Sequence, residues 1–410
     1  VTLYLGWWWP IPPLSSIPLF AENTANLLIS VVPNILDAIF NSLVALVLSG
    51  ATAGALQAGK VSRKAKRHRH TRWRGSSAEW KQHQDLNWHQ KVEELAGRGF
   101  SLDALLQFYK GLGKDYMEHY DDTRSTTCDV VRGAIIPLSR ERQCAHSEVL
   151  MHGACVRPAV MVTHGWGNLF RDLVAAILAD ALNEVEINMI ACMLGADFQQ
   201  LEAWVRAAKV GNRSYWVCAF CVNQHAGICG GNPHNATDAV NGDPYSLCNC
   251  GLPKAFNDTE PVLNGNGPSI PCEMNKFDDM MHLLSAQNKH FAQVIAVDAS
   301  FVLFSRAWCV AEIALAHRVG MQQSLKIRSC QQLDEHEQEL KQLHIEHMEA
   351  SRPEDKEDIL KKIPDPAQFN EDLQRLLFDD LVPAWKHMDV AGQLDRVGHI
   401  VRWQAVLLSV

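Results

Sequence analysis

The sequence predicts an α/β fold built on a doubly wound parallel sheet. The chain has 410 residues, which suffices for about two to three folding units, and 47% of its residues are hydrophobic, which is ordinary globular composition. From Pro158 onward, short apolar runs alternate with amphipathic segments in at least three strand-then-helix repeats. Such repeats are typical of a parallel sheet that is covered by helices on both faces.

The first strand and helix begin at this point. Ala159 to Thr163 is a compact apolar run that predicts a strand, and the polar segment His164 to Asn168 predicts a loop. Apolar residues then recur at three- and four-residue spacings, which predicts an amphipathic helix. The residues of this apolar stripe are Phe170, Leu173, Val174, Ile177, Leu178 and Leu182.

Two further units follow along the chain. A helix near Asp197 to Lys209 leads to the run Tyr215 to Val222, which predicts a central strand because it is apolar on both faces. A helix at Phe277 to Ser285 then precedes a strand at Phe291 to Val297. The helical segment Arg306 to Arg318 completes this third unit.

The last unit is more polar. We expect a charged, solvated helix after Gln331, a strand at Leu343 to Met348 and a helix that Ser351 opens as its N-cap. The α/β domain is therefore expected to span residues 158–380. A helical tail is expected over residues 381–410.

The region before the sheet divides into three segments by charge. Residues 1–59 carry two charged side chains, eight Lys or Arg side chains lie between Lys60 and Arg74, and residues 85–157 show helical periodicity. We interpret these segments as an apolar N-terminal segment, a basic linker over residues 60–84 and a small helical subdomain.

The apolar segment contains a candidate membrane helix. Ala38 to Gly59 is uncharged for 22 residues, close to the roughly 20 that a spanning helix needs. The basic run after Lys60 would then hold the downstream chain on the cytoplasmic side. Polar residues within the stretch fit a soluble or a peripheral amphipathic helix equally well, and the basic run also fits a nuclear address or a solvated linker. We therefore expect a cytoplasmic α/β domain, with membrane anchoring as one alternative.

Several function classes are disfavoured by charge and by missing motifs. The 38 basic and 46 acidic side chains leave a net charge of −8, so a general nucleic-acid binder is not expected. No dinucleotide-binding glycine motif, Walker A lysine or Gly-x-Ser-x-Gly elbow follows a predicted strand. Ligands of such sheets bind at the carboxyl ends of the strands, so the loops after Thr163, Val222 and Val297 are the expected binding loops.

Two runs of residues resemble a known family. The run Val160 to Trp166 (VMVTHGW) resembles the opening strand of Toll/interleukin-1 receptor (TIR) domains, which ends in a polar loop. The run Ser305 to Ile313 (SRAWCVAEI) is similar to the TIR pattern Ser-x-x-Trp-Cys-Leu-x-Glu-Leu, at the start of the helix after the fourth strand. With the run FCVNQH, these phrases look like a group of divergent TIR-like proteins from protists. The resemblance covers residues 158–380 and implies a flavodoxin-like parallel sheet.

The resemblance implies a role for Glu312. In catalytically active TIR domains, the Glu of this pattern is the essential residue for cleaving the bond between nicotinamide and ribose in NAD. One carboxylate suits this chemistry, because bond cleavage develops oxocarbenium character on the ribose and nicotinamide leaves readily from its cationic form. Two alternatives remain open: Glu312 is an exposed carboxylate near the start of a helix, and the chain is a non-catalytic scaffold.

The resemblance also implies the binding residues and the partners. His164 and Trp166 stand where TIR domains line the nucleotide pocket, although aromatic or basic residues of other kinds are more usual there. Trp308 and Cys309 are also interpreted as core packing rather than as a clamp and a nucleophile. The candidate substrate-binding residues are His164, Trp166, Asn168, Asn223, Ser305 and Trp308. Expected partners are further copies of the chain and other signalling proteins.

A cysteine-rich insertion is predicted at residues 227–276. Its thiols suit a tetrahedral Zn²⁺ site, which would order a segment that has few apolar residues. The candidate ligands are Cys229, Cys248, Cys250 and Cys272, with His225 or His234 as substitutes. Free reduced cysteines and disulfides are the alternatives, and three Asn-x-Ser/Thr sequons would matter if the domain were extracellular.

Overall fold

The computed structural model describes most of the chain after the basic linker. The described residues are 86–184, 186–263, 267–350 and 353–381. The predicted membrane helix at Ala38 to Gly59, the basic linker, the N-cap at Ser351 and the tail from residue 382 onward lie outside them. Within the described ranges, no helix is both long enough and apolar enough to cross a membrane.

The fold is organised around a five-stranded sheet. Its strands are β1 Phe100–Ser101, β2 Val160–His164, β3 Ser214–Val217, β4 Ala292–Ala296 and β5 Gln322–Lys326. Their order is β1-β3-β2-β4-β5, and all neighbouring pairs are parallel except β1 with β3. The α/β class is therefore confirmed, but the sheet is mixed, because β1 comes from the predicted helical subdomain and adds an antiparallel edge.

Helices connect and cover these strands. The α-helices are α1 Leu86–Ala96, α2 Leu102–Gly111, α3 Thr127–Val130, α4 Ile136–Ser139, α5 His146–Leu150, α6 Phe170–Ala181, α7 Asn188–Ala196, α8 Phe198–Ala208, α9 Cys218–Cys221, α10 Phe277–Gln287, α11 Ala307–Arg318, α12 Cys330–Leu340, α13 Pro353–Lys361 and α14 Pro366–Arg375. Short 3₁₀-helices lie at Met274–Lys276, Val302–Ser305 and Ile345–His347, and π-helical turns at Val131–Ile135 and Leu376–Leu381.

The second half of the predicted strand at Tyr215 to Val222 forms a helical turn instead. β3 ends at Val217, and α9 follows at once. The side-chain amide of Gln224 donates to the carbonyl groups of Cys218 at 3.2 Å and Ala219 at 3.3 Å, which closes this turn. A continuous apolar run fits a buried strand and a buried helical turn equally well, so its composition could not locate the boundary.

The predicted strand at Leu343 to Met348 is wrong. A 3₁₀ turn at Ile345–His347 takes its place, and the buried side chains of Ile345 and Met348 are three residues apart, as the turn requires. The last strand of the sheet is β5, whose first three residues are polar and not fully buried. β5 lies at the edge of the sheet, where fewer apolar side chains are needed, and this explains why the hydrophobic pattern missed it.

Alternate residues of β4 and of the position that follows it belong to two separate cores. Val294 and Ala296 pack in the larger core with residues of β2 and β3, whereas Ile295 and Val297 pack in a second core with residues of α11. Both sides of this strand are therefore buried, which agrees with its nearly continuous apolar sequence. A polar side chain on such a strand requires an internal partner.

Candidate functional site

Glu312 lies in the second turn of α11, and its side chain reaches the carboxyl end of β2. The hydroxyl group of Thr163 donates a 2.7 Å hydrogen bond to Oε2 of Glu312. Glu312 is half-buried, so the alternative of an exposed helix carboxylate is wrong. The helix turns this carboxyl group toward the sheet instead of toward water.

Polar side chains on two neighbouring strands, β4 and β5, hold the Thr163 hydroxyl in this orientation. Gln293 on β4 donates its amide to Oγ1 of Thr163 at 2.8 Å, so the hydroxyl hydrogen is directed at Glu312. Gln323 on β5 donates to Oε1 of Gln293 at 2.7 Å and to the carbonyl oxygen of Ile313 at 2.9 Å. The network joins the sheet to α11 and leaves the carboxyl group of Glu312 in one defined place.

The pKa of Glu312 is raised to about 7. Burial is the main cause, since it disfavours the charged carboxylate; the hydrogen bond from Thr163 opposes this effect, and the negative charge of Asp278 adds to it. Such a carboxyl group exchanges its proton near neutral pH. It can therefore serve as an anion, a general base or a general acid in that range.

His164 and two cysteines surround the same end of β2. Nε2 of His164 lies 3.4 Å from Sγ of Cys218, which also accepts a hydrogen bond of 3.4 Å from the indole N–H of Trp166. Cys309, three residues before Glu312, contacts the carbonyl oxygen of His164 at 3.5 Å. The predicted residues His164, Trp166 and Glu312 therefore meet at one location.

The electrostatics of this cluster disfavour cysteine catalysis. Burial raises the pKa of Cys218 to about 12 and that of Cys309 well above its usual value, and the charge of Glu312 adds to both effects. Burial lowers the pKa of His164 to about 4, so its imidazole ring is neutral at pH 7. A thiolate paired with an imidazolium, which a cysteine nucleophile needs, is not favoured here.

The loop from His164 to Asn168 is held by the segment that begins α3. The backbone N–H of Cys128 donates to the carbonyl oxygen of Trp166 at 3.0 Å, and that of Thr127 donates to the carbonyl oxygen of Asn168 at 2.8 Å. Asn168 is buried, and its side-chain Nδ2 has no hydrogen-bond partner among the described residues. The Trp166 ring is half-buried and keeps part of its surface accessible.

The other three predicted binding residues take part in local structure instead. The side-chain amide of Asn223 donates to the carbonyl oxygen of Gln143 at 2.9 Å and accepts from the backbone N–H of His225 at 3.0 Å. The Ser305 hydroxyl donates to the carbonyl oxygen of Val302 at 2.8 Å. The Trp308 ring packs against the second core, which agrees with its interpretation as a packing residue.

Sequence reasoning missed the partners of Glu312. Thr163, Gln293 and Gln323 are polar residues on strands. Thr163 lies within the TIR-like run VMVTHGW but was not singled out as a partner of Glu312, and the two glutamines lie outside both TIR-like runs. A polar residue within an apolar strand was the available signal, because Thr163 and Gln293 both lie in runs of buried apolar residues. Cys218 was assigned to a buried strand and therefore was not considered as a neighbour of His164.

A second cluster lies in the insertion. The ligand atoms of His225, Cys229, Cys248 and Cys250 all lie within 4.8 Å of one another, an arrangement that could hold a metal ion. Cys272 does not belong to this cluster: its thiol contacts Oδ1 of Asn257 at 3.5 Å. His225, which was named as a substitute ligand, occupies the place predicted for Cys272.

Comparison of the chain with family models, with curated proteins and with solved structures finds no match.

Proposed function

We propose that the chain is a TIR-like signalling protein that hydrolyses the bond between nicotinamide and ribose in NAD. The parallel strands β3, β2, β4 and β5 follow the strand order of a flavodoxin-like doubly wound sheet. A doubly wound sheet binds its ligand where successive connections leave in opposite directions, and on this proposal that point is the carboxyl ends of β2 and β4. The contact between Glu312 and the end of β2 supports the proposal.

The observation that carries the proposal is the hydrogen bond from Thr163 to Glu312. It holds a single half-buried carboxyl group at the carboxyl end of β2, where an oriented anion can face the ribose of a bound dinucleotide. As the bond between C1′ and nitrogen breaks, nicotinamide leaves with the electron pair and positive charge develops on the ribose. The Glu312 carboxylate stabilises this charge.

Water completes the reaction. The hydroxyl group of a water molecule bonds to C1′, and the remaining proton is released, so the products are nicotinamide, ADP-ribose and one proton. A carboxylate with a pKa of about 7 is a competent acceptor for that proton at neutral pH. Glu312 therefore has two roles that require its ionised form.

The loop after β2 is the proposed nucleotide-binding element. The accessible part of the Trp166 ring offers a stacking surface for nicotinamide or adenine. Nδ2 of Asn168 has no protein partner among the described residues, but it is buried, so a nucleotide would reach it only if this loop moved. His164 contributes differently from the sequence expectation. Its buried, neutral ring positions the loop and Cys218 rather than lining the nucleotide pocket.

The second candidate function is a non-catalytic scaffold that self-associates. The burial of His164 favours the scaffold, because this side chain is only 5% exposed. The site therefore has one basic side chain fewer that could bind the phosphates of the dinucleotide. This candidate makes a distinct prediction: the chain forms oligomers but never releases nicotinamide.

The deciding experiment measures nicotinamide released from NAD by the full chain. It compares the parent chain with Glu312→Gln and Glu312→Ala, over a protein concentration range that extends into the oligomeric regime. We expect turnover to fall by about 10²- to 10³-fold in both variants. Glu141→Gln is the matched control, since it removes an exposed carboxylate elsewhere. Equal release by all four proteins at every concentration would leave the scaffold as the function.

A further inference from the structure

We propose that His225, Cys229, Cys248 and Cys250 bind one Zn²⁺. This ion would link the insertion at residues 227–276 to the helical subdomain that precedes the α/β domain in the sequence. This site is independent of the proposed NAD chemistry. His225 and Cys229 are buried, whereas Cys248 and Cys250 are half-buried at the outer side of the cluster. The four residues therefore form a closed set of three thiol groups and one imidazole, a common set for structural zinc.

Two distances between the ligand atoms match those of a tetrahedral zinc site, and all four atoms lie within 4.8 Å of one another. Sγ of Cys229 lies 3.7 Å from Sγ of Cys250, and Sγ of Cys248 lies 3.7 Å from Nδ1 of His225. Two sulfurs that are each about 2.3 Å from Zn²⁺ at a tetrahedral angle lie about 3.8 Å apart. A disulfide would require a separation of about 2.05 Å, and the structure records these cysteines as free.

The hydrogen bonds of His225 select the tautomer that zinc requires. Nε2 of His225 lies 3.1 Å from Oγ of Ser139, whose own hydroxyl hydrogen is donated to the carbonyl oxygen of Ile135 at 2.7 Å. Oγ of Ser139 therefore accepts a hydrogen bond from the N–H at Nε2, and the lone pair of Nδ1 is left facing the sulfurs. Metal-bound histidines commonly donate their other ring N–H in this way.

Lys254 supplies charge balance. Its ammonium group lies 3.2 Å from Sγ of Cys229 and 4.0 Å from Sγ of Cys250, and it donates to the carbonyl oxygens of His225 at 2.6 Å and Leu252 at 2.9 Å. Three thiolates and one Zn²⁺ carry a net charge of about −1, which one lysine cancels. Buried charge is tolerated best when it is neutralised in this manner.

The ligands lie on two segments, residues 225–229 and residues 248–250, and each segment contacts the helical subdomain. The side chain of Arg132 donates to the carbonyl oxygen of Ile228 at 3.0 Å, and that of Gln143 donates to the carbonyl oxygen of Cys250 at 2.9 Å. The described residues between α9 and Met274 form turns and isolated bridges rather than α-helices or strands. A metal ion would therefore replace the regular hydrogen bonding and the apolar core that this insertion lacks.

The first experiment is metal analysis of the full chain, purified without chelators or metal-binding tags and dialysed against a Zn²⁺ buffer. We expect about one zinc per chain, and a loss of at least tenfold in the Cys248→Ser/Cys250→Ser double variant. Cys272→Ser is the matched control, because Cys272 lies in the same insertion outside the cluster. Metal-free parent protein, or a Cys229–Cys250 disulfide in non-reducing peptide mapping, would overturn the proposal.

A second experiment does not depend on the Cys248→Ser/Cys250→Ser double variant, which can fail to fold. The parent chain, stripped with a chelator and loaded with Co²⁺, should show the visible absorption of tetrahedral thiolate-bound cobalt. Ser139→Ala removes the partner of Nε2 without removing a ligand, so we expect zinc affinity to fall by about 10- to 100-fold. Cobalt spectra without thiolate bands, or unchanged affinity in Ser139→Ala, would contradict the proposed site.

Discussion

Thr163 and Glu312 are 149 positions apart in the sequence, and the hydroxyl group of one donates a 2.7 Å hydrogen bond to the carboxyl group of the other. This contact joins the carboxyl end of β2 to the second turn of α11. The side-chain amide of Gln293 donates to the hydroxyl oxygen of Thr163, so the hydroxyl hydrogen points at Glu312. Two peptide segments that are remote in sequence thus form one polar unit within largely apolar surroundings.

The buried carboxyl group should destabilise the fold as pH rises. The pKa of Glu312 is about 7 in the folded protein against an ordinary value of 4.5, so the folded state retains a proton that the unfolded state has lost between these pH values. Stability from this group is therefore full below about pH 4.5 and is lost as pH rises through about 7. Glu312→Gln removes the titration.

We expect Glu312→Gln to be more stable than the parent at pH 8, by up to about 3 kcal/mol, and nearly equal to it at pH 4. Urea unfolding at both pH values measures the difference. Glu141→Gln, at an exposed position, should show no such pH-dependent gain. If the parent chain were as stable as Glu312→Gln at pH 8, or more stable, burial would not raise the pKa of Glu312.

Thr163→Val should raise the pKa of Glu312 further. The valine side chain keeps the shape of threonine but removes the hydrogen bond that favours the carboxylate, and it leaves the Gln293 amide without its acceptor, at a cost of about 1–3 kcal/mol. The acid limb of the pH–activity profile should move to higher pH. Thr163→Ser retains the hydroxyl and should keep the parent profile; identical limbs in all three proteins would argue against Thr163 as a positioning residue.

The cysteines near Glu312 should be dispensable for turnover. Burial raises the pKa of Cys218 to about 12, so a nucleophilic thiolate is scarce at neutral pH. We expect Cys218→Ala and Cys309→Ala to retain NAD hydrolysis within about threefold of the parent, provided that circular dichroism shows both folded. A loss comparable to that of Glu312→Ala would instead assign the chemistry to a thiol.

The Trp166 ring should contribute to substrate binding more than to chemistry. Trp166→Ala removes the stacking surface, and we expect KM for NAD to rise by about five- to tenfold while kcat changes little, in line with about 1 kcal/mol of aromatic stacking. Trp166→Phe keeps an aromatic ring but loses the indole hydrogen bond to Cys218. Its KM should stay near that of the parent, so an increase as large as in Trp166→Ala would mean that the hydrogen bond matters and stacking does not.

Local sequence patterns determined the regular elements of this protein. The amphipathic stripe of α6 and the apolar runs of β2 and β4 encode their own conformation, because hydrophobic periodicity depends only on neighbouring residues. The same patterns failed for the helical turn that follows β3, for β5 and for the 3₁₀ turn at Ile345–His347. In these places an edge position or a tertiary contact, rather than local periodicity, decides the conformation.

Glu312 was identified from the sequence as the central residue of the candidate site, but its environment was not. Whether a helix carboxylate faces water or a polar strand residue depends on how α11 packs on β2, which no local pattern specifies. The same holds for the insertion, where the sequence supplies the thiols and the tertiary structure places His225 beside three of them instead of Cys272. Residue chemistry is a property of the sequence, whereas burial and the partners that tune it arise only when distant segments pack together.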